Sequence, residues 1–139
     1  MEVGDIKSGD TSTADNLNVI YSNVEIIRVE TEPETGLLSI MSAYADSYEQ
    51  RIVYENVLYS QIDQSAVGKR IAIVSELTPG DLRNVNRQAL ASRLIKECDL
   101  SNTDALDEMA KRGYRFFTHY IVNEDELIII AKKLAVNND

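Results

Sequence analysis

The last sixty residues constrain the fold more than any other part of the chain, because nearly every start and stop signal for a helix, a short helix and a β-hairpin is present there. Thr78 can cap a helix N-terminus, Pro79 suits the first helical position, and Asp81 lies where a carboxylate favours the helix dipole. Leu82, Val85, Ala89, Leu90, Leu94, Ile95 and Cys98 then recur at helical spacing, which predicts one amphipathic helix over residues 78–98. In the second helix, Asp104, Asp107 and Glu108 precede Lys111 and Arg112, and Gly113 fits a left-handed cap. Asp107/Lys111 and Glu108/Arg112 are spaced as acid-before-base pairs on one helical face. Tyr114, Phe116, Thr118, Tyr120 and Val122 next alternate with Arg115, Phe117, His119 and Ile121, as in a strand. The acidic turn 123–126 and the apolar run Ile128-Ile129-Ile130 complete a hairpin whose second strand is covered on both faces.

The first half reads as strands. Residues 1–17 are polar, small and unpatterned and are expected to form a flexible lead. Residues 19–29 are rich in β-branched side chains, residues 30–36 hold Pro33 and Gly36 as a turn, and residues 37–44 form a second strand broken by Asp46-Ser47. A third strand over residues 51–59 is apolar on both faces, and residues 71–74 make a fourth. The expected organisation is the lead followed by a single α+β domain over residues 18–136. Its architecture is a mainly antiparallel four- to six-stranded sheet with two helices packed on one face. The tail after Lys132-Lys133 is expected to fray.

Charge narrows the function classes. The formal charge is −9; residues 1–66 carry 12 acids against 3 bases, whereas residues 67–139 carry 11 of each. An acidic first half repels phosphate backbones and disfavours nucleic-acid binding, while suiting a basic partner. No stretch approaches the ~20 apolar residues of a membrane-spanning helix. No export signal is visible in residues 1–15, so the expected location is cytoplasmic unless a signal was removed, in which case it is the envelope or periplasm.

Candidate sites are few. Cys98 ends a helix on its apolar face between Glu97 and Asp99, placements that disfavour a thiolate and indicate packing. His119, the only histidine, has Phe117 and Ile121 as same-face neighbours and no identifiable catalytic partner, which indicates a structural or surface histidine. The acidic turn 123–126 lacks the spacing of a calcium loop, and no phosphate-binding glycine loop or nucleophile elbow occurs. The expectation is a non-enzyme without metal or cofactor. Seven tyrosines remain, a residue type favoured at half-wet interfaces. Tyr44, Tyr54 and Tyr59 mark one prospective partner surface, an edge and groove where a peptide adds as a strand or lies as a helix. The acids Glu25, Glu30 and Glu32 mark another.

One resemblance adds to this. The helix ending Leu94-Ile95-Lys96-Glu97-Cys98, the short helix, and the strand Gly113-Tyr114-Arg115-Phe116 running through Tyr120 resemble small exported α+β domains of Gram-negative bacteria. These include secretion pilotins and uncharacterised envelope lipoproteins, and the likeness covers residues 80–134. In those domains a second cysteine commonly follows the last strand and bridges to the helix cysteine; here that region reads Ala131-Lys132-Lys133-Leu134 and the bridge is missing. The resemblance implies a protein-interaction module, an accessory, adaptor or pilot-like factor that captures a segment of a partner protein. The alternative is an acidic cytosolic inhibitor or immunity-type protein that blocks a basic site by charge mimicry.

Overall fold

The structure is a computed structural model that describes residues 22–44, 49–102, 104–124 and 126–137. The expected lead and the Asp46-Ser47 break lie outside these residues. The expected four- to six-stranded α+β arrangement is not what the chain adopts. It forms one eight-stranded antiparallel sheet: β1 (Ser22–Glu32), β2 (Leu37–Ala43), β3 (Glu49–Glu55), β4 (Tyr59–Ser60), β5 (Arg70–Leu77), β6 (Arg115–Ile121), β7 (Glu126–Ala131) and β8 (Lys133–Asn137). The order across the sheet is β4-β7-β6-β5-β1-β2-β3-β8.

The two ends of that order are not independent strands. β4 continues β3 after a three-residue bend, and β8 continues β7 after Lys132 alone. β3 pairs with β8 (Glu55 opposite Lys133) and β4 pairs with β7 (Tyr59 opposite Ile130). Two further bonds carry the ladder across the bends, Lys132 N–H to the Glu55 carbonyl at 3.0 Å and Leu58 N–H to the Ile130 carbonyl at 2.8 Å. The β3–β4 run therefore pairs along its length with the β7–β8 run, and the sheet closes into a barrel. Closure satisfies backbone groups that a sheet end leaves to solvent. Residues 133–137, expected to fray, are the strand that completes it.

Alternation fills the interior. Val24, Ile26, Ile40, Ile52, Tyr54, Ile71, Val74, Phe117, Ile129 and Leu134 belong to one buried cluster drawn from seven strands. A second cluster forms outside the barrel, where Phe116, Ile128 and Ile130 meet Leu82, Leu90, Leu94, Leu106 and Met109 from the helices. β6 and β7 are thus covered on both faces, as their apolar runs require. At roughly 25 cal/mol per Å² of apolar area, each fully buried Leu or Ile stabilises the fold by about 1.5–3 kcal/mol.

The single helix expected over residues 78–98 is broken into three pieces. α1 (Pro79–Leu82) carries the Thr78–Asp81 capping box, a 3₁₀ turn spans Val85–Arg87, and α2 (Gln88–Glu97) follows. Asn84 causes the break: its backbone is extended and its side chain accepts from the Asn86 N–H, capping a new turn in place of continuing the old one. Val85, placed on the apolar stripe by spacing, is 71% exposed as a result. α3 (Asp104–Lys111) follows, with Leu106 and Met109 buried. Asp107 pairs with Arg83 of the α1 segment, and Lys111 lies 3.2 Å from Glu108, a spacing of three where four was expected.

His119 lies inside the barrel, fully buried. Its Nδ1 is 2.9 Å from the Leu127 carbonyl and its Nε2 is 2.6 Å from the Tyr54 hydroxyl. A carbonyl only accepts, so Nδ1 carries the proton and Nε2 accepts from Tyr54. Burial pushes the imidazole pKa down to about 4 against the ordinary 6.5. Between those values the unfolded chain binds the extra proton, so the contribution of His119 to stability is whole above pH 6.5 and falls as pH drops toward 4. The full linkage is about 3 kcal/mol at 1.36 kcal/mol per pH unit. Urea unfolding of the wild type and His119→Asn at pH 5 and 7 should show a steeper loss of stability in the wild type. Equal losses would refute the linkage. Tyr54→Phe removes the donor to Nε2 and should cost about 1–3 kcal/mol at pH 7 by the same measurement.

Candidate functional site

The bend between β3 and β4 shapes a groove. Three residues, 56–58, oppose two on the partner run, so the ladder carries a bulge. Asn56 takes the left-handed conformation at φ 55°, tolerable for asparagine. Gly36 of the β1–β2 turn also has positive φ, at 70°, and its carbonyl accepts from the Val57 N–H at 2.9 Å. The turn is thereby tied to the bend. Between them runs a groove of about 410 Å³ with Pro33, Leu37, Leu38, Val57, Leu58 and Ile62 as apolar lining and Glu32 and Asp63 at its polar margin. Leu58 is 49% exposed, a large aliphatic side chain that the bulge turns toward water.

Tyr59, Ser60 and Asp63 are shared with a neighbouring pocket of about 320 Å³, whose other walls are Gln61, Arg93, Glu97 and Leu127. The Tyr59 hydroxyl donates to Glu97 Oε1, tying β4 to the end of α2. Burial and this carboxylate raise the Tyr59 phenol to about 12. Asp63 accepts from both the backbone N–H and the hydroxyl of Ser65, contacts that lower its carboxyl pKa and fix the start of the 3₁₀ turn Gln64–Ala66.

The residues singled out from sequence are dispersed. Glu32 and Tyr59 both line the groove. Tyr54 is enclosed in the barrel, 0% exposed, on His119. Tyr44 packs against the interior core, its hydroxyl accepting from Gln50 Nε2 at 3.2 Å. Glu25 is half-buried on β1 opposite Ala43 and Arg70, and the exposed Glu30 lies 3.4 Å from Arg28. Cys98 packs partly buried against the helix-side cluster, with burial and Glu97 raising its thiol pKa. Among the described residues, no three His, Cys, Asp or Glu side chains are placed to hold a metal ion.

A charged cluster that spacing did not reveal lies on the outer face of β6–β7. Arg87 donates to both carboxylate oxygens of Glu126 and to the Tyr120 hydroxyl, while Thr118 Oγ1 donates to Glu126 Oε2 at 2.8 Å. Only the alternation of Thr118 and Tyr120 onto the helix-facing side hinted at it. Clefts of about 510 and 380 Å³ flank Arg87 and Tyr120. All three hydrogen bonds from the guanidinium are made within the protein, and Arg87 immediately precedes α2. The cluster is a strut that fixes where the helix starts. Arg87→Met should lower stability by about 2 kcal/mol, because a partly buried carboxylate loses charge-assisted bonds. It should also speed hydrogen exchange in α2 ahead of the barrel strands; uniform acceleration across the chain would refute the strut.

No helix among the described residues is long and apolar enough to cross a membrane. Comparison of the chain with protein-family models, with curated proteins and with solved structures found no match, so its function is read from its own geometry.

Proposed function

We propose that this protein is a non-enzymatic interaction module, an accessory, adaptor or pilot-like factor that holds a segment of a partner protein in the groove beside β4. The observation that carries the reading is the exposed Leu58 over an apolar lining, at a bulged bend around the left-handed Asn56 that is tied to the left-handed Gly36 of the β1–β2 turn. An apolar hollow of about 410 Å³ accommodates one or two aliphatic side chains of a bound segment. Exposed acids border it, Glu32 and Asp63, and Glu97 lies in the adjoining pocket. The complementary segment therefore carries an apolar anchor flanked by Lys or Arg. Both ends of the sheet are taken up in closing the barrel, which favours groove docking over strand addition at a sheet end.

Panning a random dodecapeptide library on the full chain should enrich sequences with an aliphatic residue next to basic ones. Their affinity should fall at least tenfold in Leu58→Asp, with the circular dichroism spectrum unchanged. It should weaken only a few-fold between 0.05 and 0.5 M salt, because the anchor is apolar. No enrichment, or equal binding to Leu58→Asp, would overturn the groove reading. Loss of nearly all affinity in salt would instead favour charge mimicry.

A further inference from the structure

The helix break at Asn84 coincides with a cleft whose chemistry differs from that of the groove. This cleft of about 510 Å³ lies on the outer face of β5 and β6, lined by Ser75, Leu77, Asp81, Asn84, Asn86 and Tyr120 beside Arg87. The cleft of about 380 Å³ shares Asn86, Arg87 and Tyr120 with it, so the pair form one trough. The cleft has no residue in common with the groove beside β4. Asn84 and Asn86 both line it, while Val85 between them is 71% exposed. The turn that leaves an aliphatic side chain in water is the turn that brings both asparagines to the cleft.

Contacts within the protein hold these side chains and leave part of their hydrogen-bonding capacity unspent. Asp81 Oδ2 accepts from the Thr78 N–H at 2.8 Å, and Oδ1 remains. Asn84 Oδ1 accepts from the Asn86 N–H at 2.9 Å, which fixes the amide and leaves its NH₂ as a donor. Among the described residues, the Asn86 amide and the Ser75 hydroxyl make no hydrogen bond. The cleft therefore offers an acceptor, a donor and two groups that serve as either, next to Leu77 and the Tyr120 ring as apolar surface.

Charge selects against ionic ligands. The Arg87 guanidinium is engaged by Glu126 and Tyr120, so an anion would meet the Asp81 carboxylate without a cation left to offset it. An ammonium would sit on Asp81 beside the Arg87 charge and find no acceptor set of its own. A neutral polyol fits better. Each hydroxyl both donates and accepts, as the mixed lining requires, and the C–H face of a sugar ring covers apolar surface such as Leu77 or the Tyr120 ring. A peptide backbone alternates donors and acceptors too, but its side chains need apolar pockets, and apolar surface here is confined to that one leucine and ring. The volume lies within the roughly 300–1,000 Å³ of small-ligand clefts. We infer that this trough is a carbohydrate site, taking a neutral sugar of one or two rings against Asp81, Asn84, Asn86 and Ser75. The inference is independent of the groove reading and gives the protein a second ligand on a separate surface.

The test titrates maltose, cellobiose, lactose and N,N′-diacetylchitobiose into the ¹⁵N-labelled full chain. At least one should shift the Asn84 and Asn86 side-chain amides saturably at millimolar concentration, together with the backbone amides of the turn. Inorganic phosphate, butylammonium and N-acetyl-trialanine amide should leave those signals in place. Asn86→Ala and Ser75→Ala remove groups with no partner in the protein, so both should keep the wild-type circular dichroism spectrum. Each should raise the Kd of the bound disaccharide, Asn86→Ala at least tenfold. If a variant unfolds, the pattern of shifts on the wild type decides alone. No saturable shift by any of the four sugars, shifts confined to another surface, or unchanged affinity in folded Asn86→Ala would each overturn the site. Binding of phosphate or of the capped tripeptide in their place would overturn the ligand class.

Discussion

The pairing of the β3–β4 run with the β7–β8 run is the constraint on which the rest of the molecule depends. Without it, β4 and β8 would be short appendages at opposite ends of a sheet, and a two-residue strand such as β4 has little stability alone. With it, the interior becomes a closed apolar volume with Tyr54 and His119 sealed inside. The buried hydroxyl–imidazole pair is tolerable because both imidazole nitrogens have partners, one a backbone carbonyl that dictates the tautomer. A closed interior leaves the helices no route to the barrel core. They form a second core on the outer face of β6 and β7, which explains why those two strands are apolar on both sides.

The helix layer is pinned at both ends of α2. Arg87 at its start reaches Glu126 and Tyr120 on β7 and β6, and Glu97 at its end receives Tyr59 from β4. These pins differ in strength. The Arg87 cluster is charge-assisted, multidentate and partly buried, with side-chain exposures of 22% and 19% for Arg87 and Glu126. The Tyr59 contact is a single hydrogen bond near the surface. The end of α2 beside the groove is therefore the looser one. That asymmetry puts the more weakly tied end of the layer beside the groove, with Arg93 one turn back lining both the Arg87 cleft and the Tyr59 pocket.

Local signals were legible where short-range chemistry decides the outcome. The Thr78-Pro79-Asp81 cap, the short helix around Leu106 and Met109, and the facing of Phe116 against Phe117 follow from propensity, capping and alternation, and they stand in the structure. Barrel closure was not legible, because it depends on residues 51–60 meeting residues 129–137, a pairing with no local signature. Lys132 and Lys133 read as a strand end, although one interrupts the run and the other begins β8. The helix break was missed because Val85 and Ala89 keep the apolar period while Asn84 supplies a competing cap. Of the tyrosines weighed as a surface, Tyr54 alternates in step with Ile52 toward the interior, and only closure reveals that this face is sealed. The Arg87–Glu126 strut joins residues 39 apart and is set by tertiary packing alone.

Strand register links closure to the groove. The β3–β8 and β4–β7 pairings differ by one residue, so the continuous run must absorb an extra position between Glu55 and Tyr59. Placing it at Asn56 puts an asparagine, more tolerant of positive φ than β-branched neighbours, at the strained position. The following residues then leave the regular pleat: Val57 turns to the β1–β2 turn and Leu58 to solvent. Reversing the bulge by deletion would restore the pleat but shift either β3 or β4 by one position, and a one-residue slip exchanges buried and exposed faces. The exposed aliphatic side chain is thus held in place by the same register offset that closes the barrel. The barrel closure and the groove both depend on the same three residues, 56–58, and neither feature can be removed without disturbing the other.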